Sequence, residues 1–427
     1  MPRLLLVYHF FQPDPVVSAR LYADFAEEQR RRGWEVTVLT SNRAWGDLST
    51  ALPARESWRG VDVRRLFRPP WSQSRPLQRL ANSAWLLGGW SLDAIRHATY
   101  DAVVIGSDPA FAALLALPLR LRFPRAAIVH WCYDLYPEAI VAEGAGRVAR
   151  ALVPVARAVM KRAYRACDAL VDLGPCMRRR LEAYDVPAVR ETIVPWALVE
   201  PAAPAAPDPA VRRELFGEAR LGLLYSGTLG RAHDFETFLT LARACRQRWG
   251  NAVAVTFACR GNRFAELERA VTPADTNVRF AEFAAQEDLQ KRLEAADLHL
   301  LSLRGEWTGI VVPSKFFGSL AVGRPVVFAG PSDSSIPRWI RELDVGVHLD
   351  GRDLAPVLHR LAALQEKPDG VRRWQENAFR AYRQTFAKSV SNERWDHLLR
   401  ELASVPQQAG PRQGTQAPSD RDLVPSP

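Results

Sequence analysis

The sequence predicts an α/β protein made of two tandem, Rossmann-like, doubly wound domains. Three observations predict it: short apolar runs alternate with helical segments from residue 3 onward, a Pro/Ala-rich segment interrupts this pattern at 200–210, and the pattern then restarts. A chain of 427 residues is long enough to build two such cores. Because paired domains of this kind bind ligands at the carboxyl ends of their strands, we expect an inter-domain cleft to hold the substrates.

The first half is predicted to begin with a strand and to continue as βαβ units. The start, MPRLLLVYHFF, has one basic residue and no small-residue cleavage site, which favours a first strand over a signal peptide. Helical periodicity follows in SARLYADFAEEQRRRGW, which ends at a glycine, and again over 147–165. The apolar runs that predict strands are RLLLVYHF, EVTVLT, VDVRRLF, DAVVIGS, AAIVHW and DALVDLG.

The second half repeats the alternation after the segment EPAAPAAPDPA. Strands are predicted at RLGLLYSG, VAVTFAC, NVRFAEF and LHLLSL, with helices at 234–249, 263–271 and 286–295. The stretch VVPSKFFGSLAVGRPVVF then predicts a loop, a helix and a strand. We therefore assign an N-terminal Rossmann-like domain to 1–198, a C-terminal Rossmann-like domain to 199–385, a C-terminal crossing helix that packs back on the N-terminal domain to 386–404, and a disordered tail rich in Pro, Gln, Gly and Ser to 405–427.

The positive charge is concentrated in the first half. Residues 1–198 carry 27 Lys and Arg against 19 Asp and Glu, a net +8, whereas the remainder carries 30 against 28, a net +2. A basic domain suits an anionic partner such as a phospholipid surface or a lipid diphosphate. No nucleic-acid recognition motif is visible, so nucleic acid is not an expected partner. The segment 67–95 mixes arginines with three tryptophans, which suits either membrane-surface contact or core packing.

The cysteines and the hydropathy pattern indicate the compartment. Five cysteines, an odd number with no C-x-x-C pair, argue against a disulfide framework or a zinc site and favour a reducing environment. No uninterrupted apolar run approaches the roughly 18 residues of a membrane span. We expect a cytoplasmic protein, with peripheral contact to the inner face of the cytoplasmic membrane left open.

Three βα loops of the second half carry cations. YSGTLGRAHDFETFL contains Arg231, FACRGNRFAELE contains Arg260, and VVPSKFFGSLAVG places Lys315, one of only five lysines, at the start of a helix. Helix N-termini and cations both favour anions, and such loops converge at one end of a parallel sheet. Together they predict a diphosphate site.

In this order, and with HWCYDLYPEAI and IVPWALV in the first half, these segments resemble GT-B glycosyltransferases of retaining family 4. The resemblance covers roughly residues 3–400 and is greatest to bacterial transferases of the O-antigen, capsule and colanic-acid type, whose donor loop also reads P-S-K. It implies a hexosyltransferase-type enzyme of surface polysaccharide biosynthesis. A nucleotide-sugar donor would bind the second domain, and a glycan or polyprenyl-diphosphate-linked acceptor would bind the first, with no metal or other cofactor.

The resemblance also implies roles for individual residues. Arg231 and Lys315 would neutralise the departing diphosphate, and Asp134 would position the acceptor hydroxyl, although Asp134 and Glu138 also suit simple helix N-terminal carboxylates. His130 suits either an acceptor contact or the core. The acceptor contacts implied are Ser18, Arg20, His130 and Glu138, and the donor contacts are Gly227, Thr228, Arg260, Gly261, Asn262, Glu282, Phe283, Pro313 and Ser314.

Two positions depart from the family pattern. Its usual pair of glutamates, eight residues apart, would fall at 310 and 318, where this chain has Ile310 and Gly318. The second of these glutamates commonly binds the donor ribose. Two alternatives therefore stay open: a nucleotide-sugar epimerase of the same architecture, and a catalytically inactive nucleotide-sugar-binding protein.

Overall fold

The computed structural model describes residues 1–45, 48–72, 75–96, 99–144, 146–349, 353–366 and 369–404. The chain divides into two compact units: residues 1–194 with the last helical segment from 391, and residues 195–390. Each unit is an α/β assembly around a mainly parallel sheet, which confirms the predicted fold class. The tail predicted to be disordered, 405–427, lies outside the described residues.

The first unit contains an eight-stranded sheet in the order β3-β4-β2-β1-β5-β6-β7-β8, parallel except for the β3–β4 pair. Its helices are α1 Val17–Arg31, α2 Pro76–Arg96, α3 Ala116–Arg122, α4 Glu138–Ala142, α5 Arg147–Arg165 and α6 Pro175–Glu182. Its strands are β1 Arg3–Val7, β2 Glu35–Ser41, β3 Arg55–Trp58, β4 Val61–Leu66, β5 Ala102–Gly106, β6 Ala127–Trp131, β7 Ala169–Asp172 and β8 Val189–Thr192.

The second unit contains a six-stranded parallel sheet in the order β11-β10-β9-β12-β13-β14. Its strands are β9 Leu221–Thr228, β10 Val253–Arg260, β11 Val278–Phe280, β12 Leu298–Ser302, β13 Val326–Ala329 and β14 Gly346–Leu349. Its helices are α7 Pro209–Phe216, α8 Glu236–Trp249, α9 Phe264–Ala270, α10 Leu289–Glu294, α11 Lys315–Ala321, α12 Ser335–Leu343, α13 Ala355–Glu366 and α14 Asp369–Ala381.

The apolar runs that predict strands are buried on both faces. In β1, Leu4 pairs with Val36 on one side and with Ala102 on the other, and all three side chains are buried. Strands of a parallel sheet covered by helices on both faces read as continuous apolar runs. This is why the central strands were predictable from the sequence alone.

The final helix, α15 Lys388–Ser404, contributes to the core of the first unit. Trp395 is fully buried there, with its ring edge-on to Phe25 at 5.0 Å and to Trp131 at 4.8 Å between ring centroids. Arg400 also donates to the Arg32 carbonyl over 2.7 Å. The chain thus leaves the first unit after residue 194 and returns to it at its end.

All five cysteines lie among the described residues, where they are buried and form no disulfide. In the part of the chain that the structure describes, no helix is both long enough and apolar enough to cross a membrane.

Candidate active site

Lys315, the first residue of α11, reaches the carboxyl end of β9. Its ammonium donates to the Thr228 carbonyl over 2.7 Å and to the Tyr225 hydroxyl over 3.1 Å, and it lies 4.6 Å from the centroid of the Tyr225 ring. Burial lowers the pKa of Lys315 to about 7, because the charged form is poorly solvated. The structure therefore holds a partly desolvated cation at the strand ends where a diphosphate was predicted.

His233 is a close neighbour of this cation. Its Nδ1 lies 2.8 Å from the Ser302 carbonyl, which can only accept, so Nδ1 carries the hydrogen and Nε2 keeps its lone pair. That lone pair faces the Lys315 ammonium at 3.5 Å. Burial, and then the Lys315 charge, lowers the pKa of His233 to about 3, which keeps the ring neutral. A neutral imidazole can accept from Lys315 without repelling it.

Two glycines shape the loops beside Lys315. Gly227 has a φ of +117°, and a Cβ built there would lie 2.7 Å from Cε of Lys315. Gly261 has a φ of +137°, and its Cβ would lie 2.4 Å from the Leu229 carbonyl oxygen. Any side chain at either position would be strained and would collide with its neighbour. The glycines thus let the β9 and β10 loops approach each other and the lysine.

The predicted donor contacts Arg260 and Phe283 lie against each other. Arg260 ends β10, and its guanidinium carbon lies 4.0 Å from the centroid of the Phe283 ring. Both side chains are exposed, as are Asn262 and Glu282. The Glu282 carbonyl accepts from Arg292, which anchors this loop. A flat ring backed by a cation suits stacking against a planar ligand.

The remaining predicted donor residues lie in the turn after β9 and in the loop before α11. Arg231 is exposed in the turn between β9 and α8, and the Thr228 side chain is exposed at the end of β9. Ser314 is exposed before α11 and makes no side-chain cap. The Pro313 and Ser314 carbonyls accept from the amides of the next turn, Phe316 and Phe317.

An open groove of about 480 Å³ lies beside this cluster at the ends of β12 and β13. Its ionic pairs are Arg304 with Glu306 at 2.8 Å and Arg263 with Glu236 at 2.5 Å. The groove is lined by Asp234, Glu236, Thr237, Arg263, Leu303, Arg304, Gly305, Glu306, Ala329, Gly330 and Pro331, so it adjoins the predicted donor residues without containing them. Among the described residues, no group of three or more His, Cys, Asp and Glu side chains could hold a metal ion.

In the first unit, Asp134 lies just beyond the end of β6. The Tyr133 and Asp134 amides both donate to the Ser107 hydroxyl oxygen over 3.1 Å, which holds the turn. Burial raises the pKa of Asp134 to about 7, and the Asp108 carboxylate adds to the shift. The Asp108 carboxylate, which sequence reasoning did not identify, therefore acts electrostatically on Asp134.

A second buried group, His9 with Arg68, supports Asp108. Arg68 can only donate, and its Nη1 lies 3.1 Å from Nε2 of His9, so Nε2 is the acceptor. Nδ1 of His9 then donates to Asp108 over 2.9 Å. The chain positions Arg68, His9 and Asp108 in a row at the ends of β4, β1 and β5. His9 falls near the end of the first predicted strand, RLLLVYHF, and a polar residue at the carboxyl end of a parallel strand is the signal that could have found it.

The other predicted acceptor residues have internal partners. Ser18 hydrogen-bonds to Tyr8, and Arg20 is half-buried in α1. His130 is buried inside β6, where Nδ1 donates to the Ile105 carbonyl over 2.9 Å and burial lowers its pKa to about 4.

Glu138 is buried, and its Oε1 accepts from Arg157 and from the Tyr184 hydroxyl, both over 2.9 Å. The structure therefore does not bring His130 and Glu138 together with Asp134 as exposed groups. Their acceptor roles stay predictions.

Comparison with known proteins agrees with this arrangement. Residues 18–197 match a family described as a glycosyl transferase 4-like domain. Solved structures with the same fold include sucrose-phosphate synthase from Thermosynechococcus elongatus, at a TM-score of 0.71 and 14% identity over 94% of this chain and 99% of that one. A search of curated protein sequences found no match.

Two further solved structures are similar over nearly the whole chain. HepE from Anabaena, in complex with UDP, has a TM-score of 0.65 and 13% identity over 94% of this chain and 100% of that one. WaaG, described as a glycosyltransferase involved in lipopolysaccharide biosynthesis, has a TM-score of 0.58 and 15% identity over 92% of this chain and 99% of that one.

The two parallel-sheet units have the GT-B fold of these structures. The family match covers residues 18–197, which are similar to a glycosyl transferase 4-like domain.

Proposed function

We propose that the protein is a retaining glycosyltransferase that moves a sugar from a nucleotide-sugar donor to a hydroxyl of a glycan acceptor. The observation that carries this proposal is the Lys315 ammonium, held at the end of β9 by Thr228 and Tyr225. A cation fixed before the donor arrives stabilises charge as it develops on a departing diphosphate. The UDP and UDP-glucose bound to the structurally similar HepE support a donor of this class.

In the proposed reaction the bond between the sugar C1 and the diphosphate oxygen breaks while the acceptor oxygen bonds to C1 on the same face. Lys315 and Arg231 neutralise the diphosphate, and no metal is needed for that step. The acceptor proton passes to the departing phosphate oxygen. Asp134 positions the acceptor hydroxyl, and its raised pKa allows it to donate or accept a hydrogen bond near pH 7.

The acceptor is proposed to be a lipid-linked glycan of cell-surface polysaccharide synthesis, met at the inner face of the cytoplasmic membrane. The basic first half of the chain, at +8 over residues 1–198, supports contact with lipid phosphates. The polysaccharide role draws support from WaaG, whose description places it in lipopolysaccharide biosynthesis. Of the three tryptophans in 67–95, Trp90 is buried, whereas Trp71 and Trp85 are exposed.

The test is incubation with a panel of UDP-, GDP-, ADP- and dTDP-sugars, with nucleoside diphosphate release as the measurement. Lys315→Ala should lower turnover by about a hundredfold, equivalent to about 3 kcal/mol of lost leaving-group stabilisation. Lys291→Ala is the matched control, because Lys291 is exposed on α10 of the same unit. Normal turnover by Lys315→Ala would show that this lysine is not a diphosphate ligand.

The same panel separates the two alternatives. Release of an epimerised free sugar would indicate an epimerase. Tight nucleotide-sugar binding without turnover would indicate an inactive binding protein, for which Ile310 and Gly318 in place of the usual glutamates are the motivation.

A further inference from the structure

Helix α5 is exposed over most of its length. Residues 147–152 are all exposed, and the helix buries only Met160, Ala163 and Tyr164 near its C-terminal end. Its first two turns therefore project from the described part of the first unit. Such a helix needs an explanation, because most helical stability in proteins comes from packing one face.

The exposed part of α5 carries an apolar stripe. Val148, Leu152, Val155 and Val159 are 78%, 59%, 61% and 37% exposed. At about 100° per residue these four positions fall within a sector of about 60° on the helix surface. The buried residues of α5 occupy the neighbouring sector, so the stripe is a second apolar surface that faces solvent.

The charges of α5 indicate what covers that stripe. The helix contains six basic residues and no acidic one: Arg147, Arg150, Arg157, Lys161, Arg162 and Arg165. Arg157 and Lys161 have carboxylate partners in Glu138 and Asp185, whereas the other four basic side chains are exposed. A complementary partner must therefore be apolar in its interior and anionic at its surface.

We propose that α5 lies in the plane of a bilayer that contains anionic phospholipid. The stripe enters the region between the head groups, and the arginines contact lipid phosphates. Six charges in 19 residues exclude a spanning orientation. A second copy of this chain is a poorer occupant, because it would bring six more positive charges against the first six.

The position of α5 connects the bilayer to the candidate acceptor site. Arg157 pairs with Glu138, the first residue of α4, which follows Asp134 by four positions. Arg79 of α2 pairs with Glu143, just before α5, and braces the same segment. These two ion pairs hold the Asp134 turn close to the bilayer surface. The consequence for a lipid-linked acceptor, which lies at that surface, rests on the proposed function.

The test is co-sedimentation with two kinds of vesicle, phosphatidylcholine alone and phosphatidylcholine with about one third phosphatidylglycerol. The full-length protein should bind the anionic vesicles, and binding should weaken in about 0.5 M salt. The variant Val148→Ser, Leu152→Ser, Val155→Ser should lose at least about tenfold in partitioning, since three apolar side chains no longer enter the bilayer. Its thermal midpoint should not change, because the three side chains are exposed.

A matched control comes from α2, which also exposes leucines. Leu77→Ser, Leu80→Ser, Leu92→Ser removes three exposed apolar side chains from the same unit and should retain vesicle binding within about twofold. Loss of binding in the α2 variant alone would overturn the assignment to α5. Unchanged binding by the α5 variant would also overturn it. A third contrary result would be a parent protein that does not bind anionic vesicles and forms a dimer, together with an α5 variant that is a monomer. Vesicle binding does not depend on sugar transfer, so a negative donor panel leaves this test intact.

Discussion

At the scale of single residues, the proposed donor site depends on Lys315, whose charge changes with pH near neutrality. Lys315 is buried against Tyr225 and the Thr228 carbonyl, and burial brings its pKa to about 7. A bound diphosphate favours the protonated form, so binding raises the pKa of Lys315 again. The free protein holds this cation only below about pH 7, whereas the complex holds it at higher pH.

This predicts that UDP affinity falls as the pH rises above 7. The protonated lysine is the binding form, so affinity is constant with respect to this group below pH 7 and decreases by up to about tenfold per pH unit above it. His233→Leu removes the neutral acceptor that faces the ammonium, which favours the uncharged lysine. The midpoint of the decrease should therefore move to lower pH by roughly half a unit, as measured by titration calorimetry from pH 6 to 9.

His233→Gln is the control, because it returns an amide oxygen able to accept from Lys315. It should restore the midpoint of the parent. A profile that does not differ between the parent and His233→Leu would mean that His233 only packs against the loop.

The sequence predicts Lys315 as a diphosphate ligand, but it does not predict the groups that contact its ammonium. Lys315 is recognisable from P-S-K before a helix, a local pattern. His233 lies 82 positions from Lys315, and His9 lies 99 positions from Asp108, so their pairing depends on which strands become neighbours. Local spacing contains no information on such contacts, and none on whether a histidine such as His130 faces a ligand or the core.

At the scale of elements, the backbone between β9 and α8 depends on Gly227, which has a positive φ and lies against Lys315. We expect Gly227→Ala to lower UDP affinity by about tenfold or more, because the added methyl collides with Cε of Lys315 and the residue keeps a positive φ. Calorimetry with UDP measures this loss, and a thermal melt separates it from unfolding.

Gly230→Ala is the control for that experiment. It adds the same methyl to the same turn, but a Cβ at this position meets nothing within 4 Å in the described structure. Its affinity should stay within about twofold of the parent. If both variants bind UDP as the parent does, the close approach of Gly227 to Lys315 has no bearing on donor binding.

The elements that could be predicted from the sequence are those whose apolar residues follow one regular pattern of burial. Helix α5 spans Arg147–Arg165, the range that periodicity predicts. Strands β3, β8 and β14 were not predicted, because they are short and their residues are only partly buried, as in the RESW of β3. Periodicity also shows that α5 is amphipathic without showing that an apolar stripe faces solvent, which depends on how the helix packs.

At the scale of the whole molecule, the first unit is completed only by the end of the chain. Its sheet and helices come from residues 1–194, but its core includes α15, which follows the entire second unit in sequence. The Ser391 hydroxyl donates to the Val194 carbonyl over 3.0 Å where the chain returns. Folding of the first unit therefore requires closure of a loop of about 200 residues, which costs little more than a short one because closure entropy grows slowly with length.

Removing Trp395 should accordingly destabilise the first unit. Its ring is fully buried between Phe25 and Trp131, so Trp395→Ala leaves a cavity and should lower the free energy of unfolding by about 3–5 kcal/mol. Trp85→Ala, an exposed tryptophan of the same unit, should cost about 1 kcal/mol or less. Chemical denaturation followed by intrinsic fluorescence measures both, and a chain ending at residue 390 should show a still earlier transition. Equal stability of the full and shortened chains would mean that residues 1–194 form a complete core without α15.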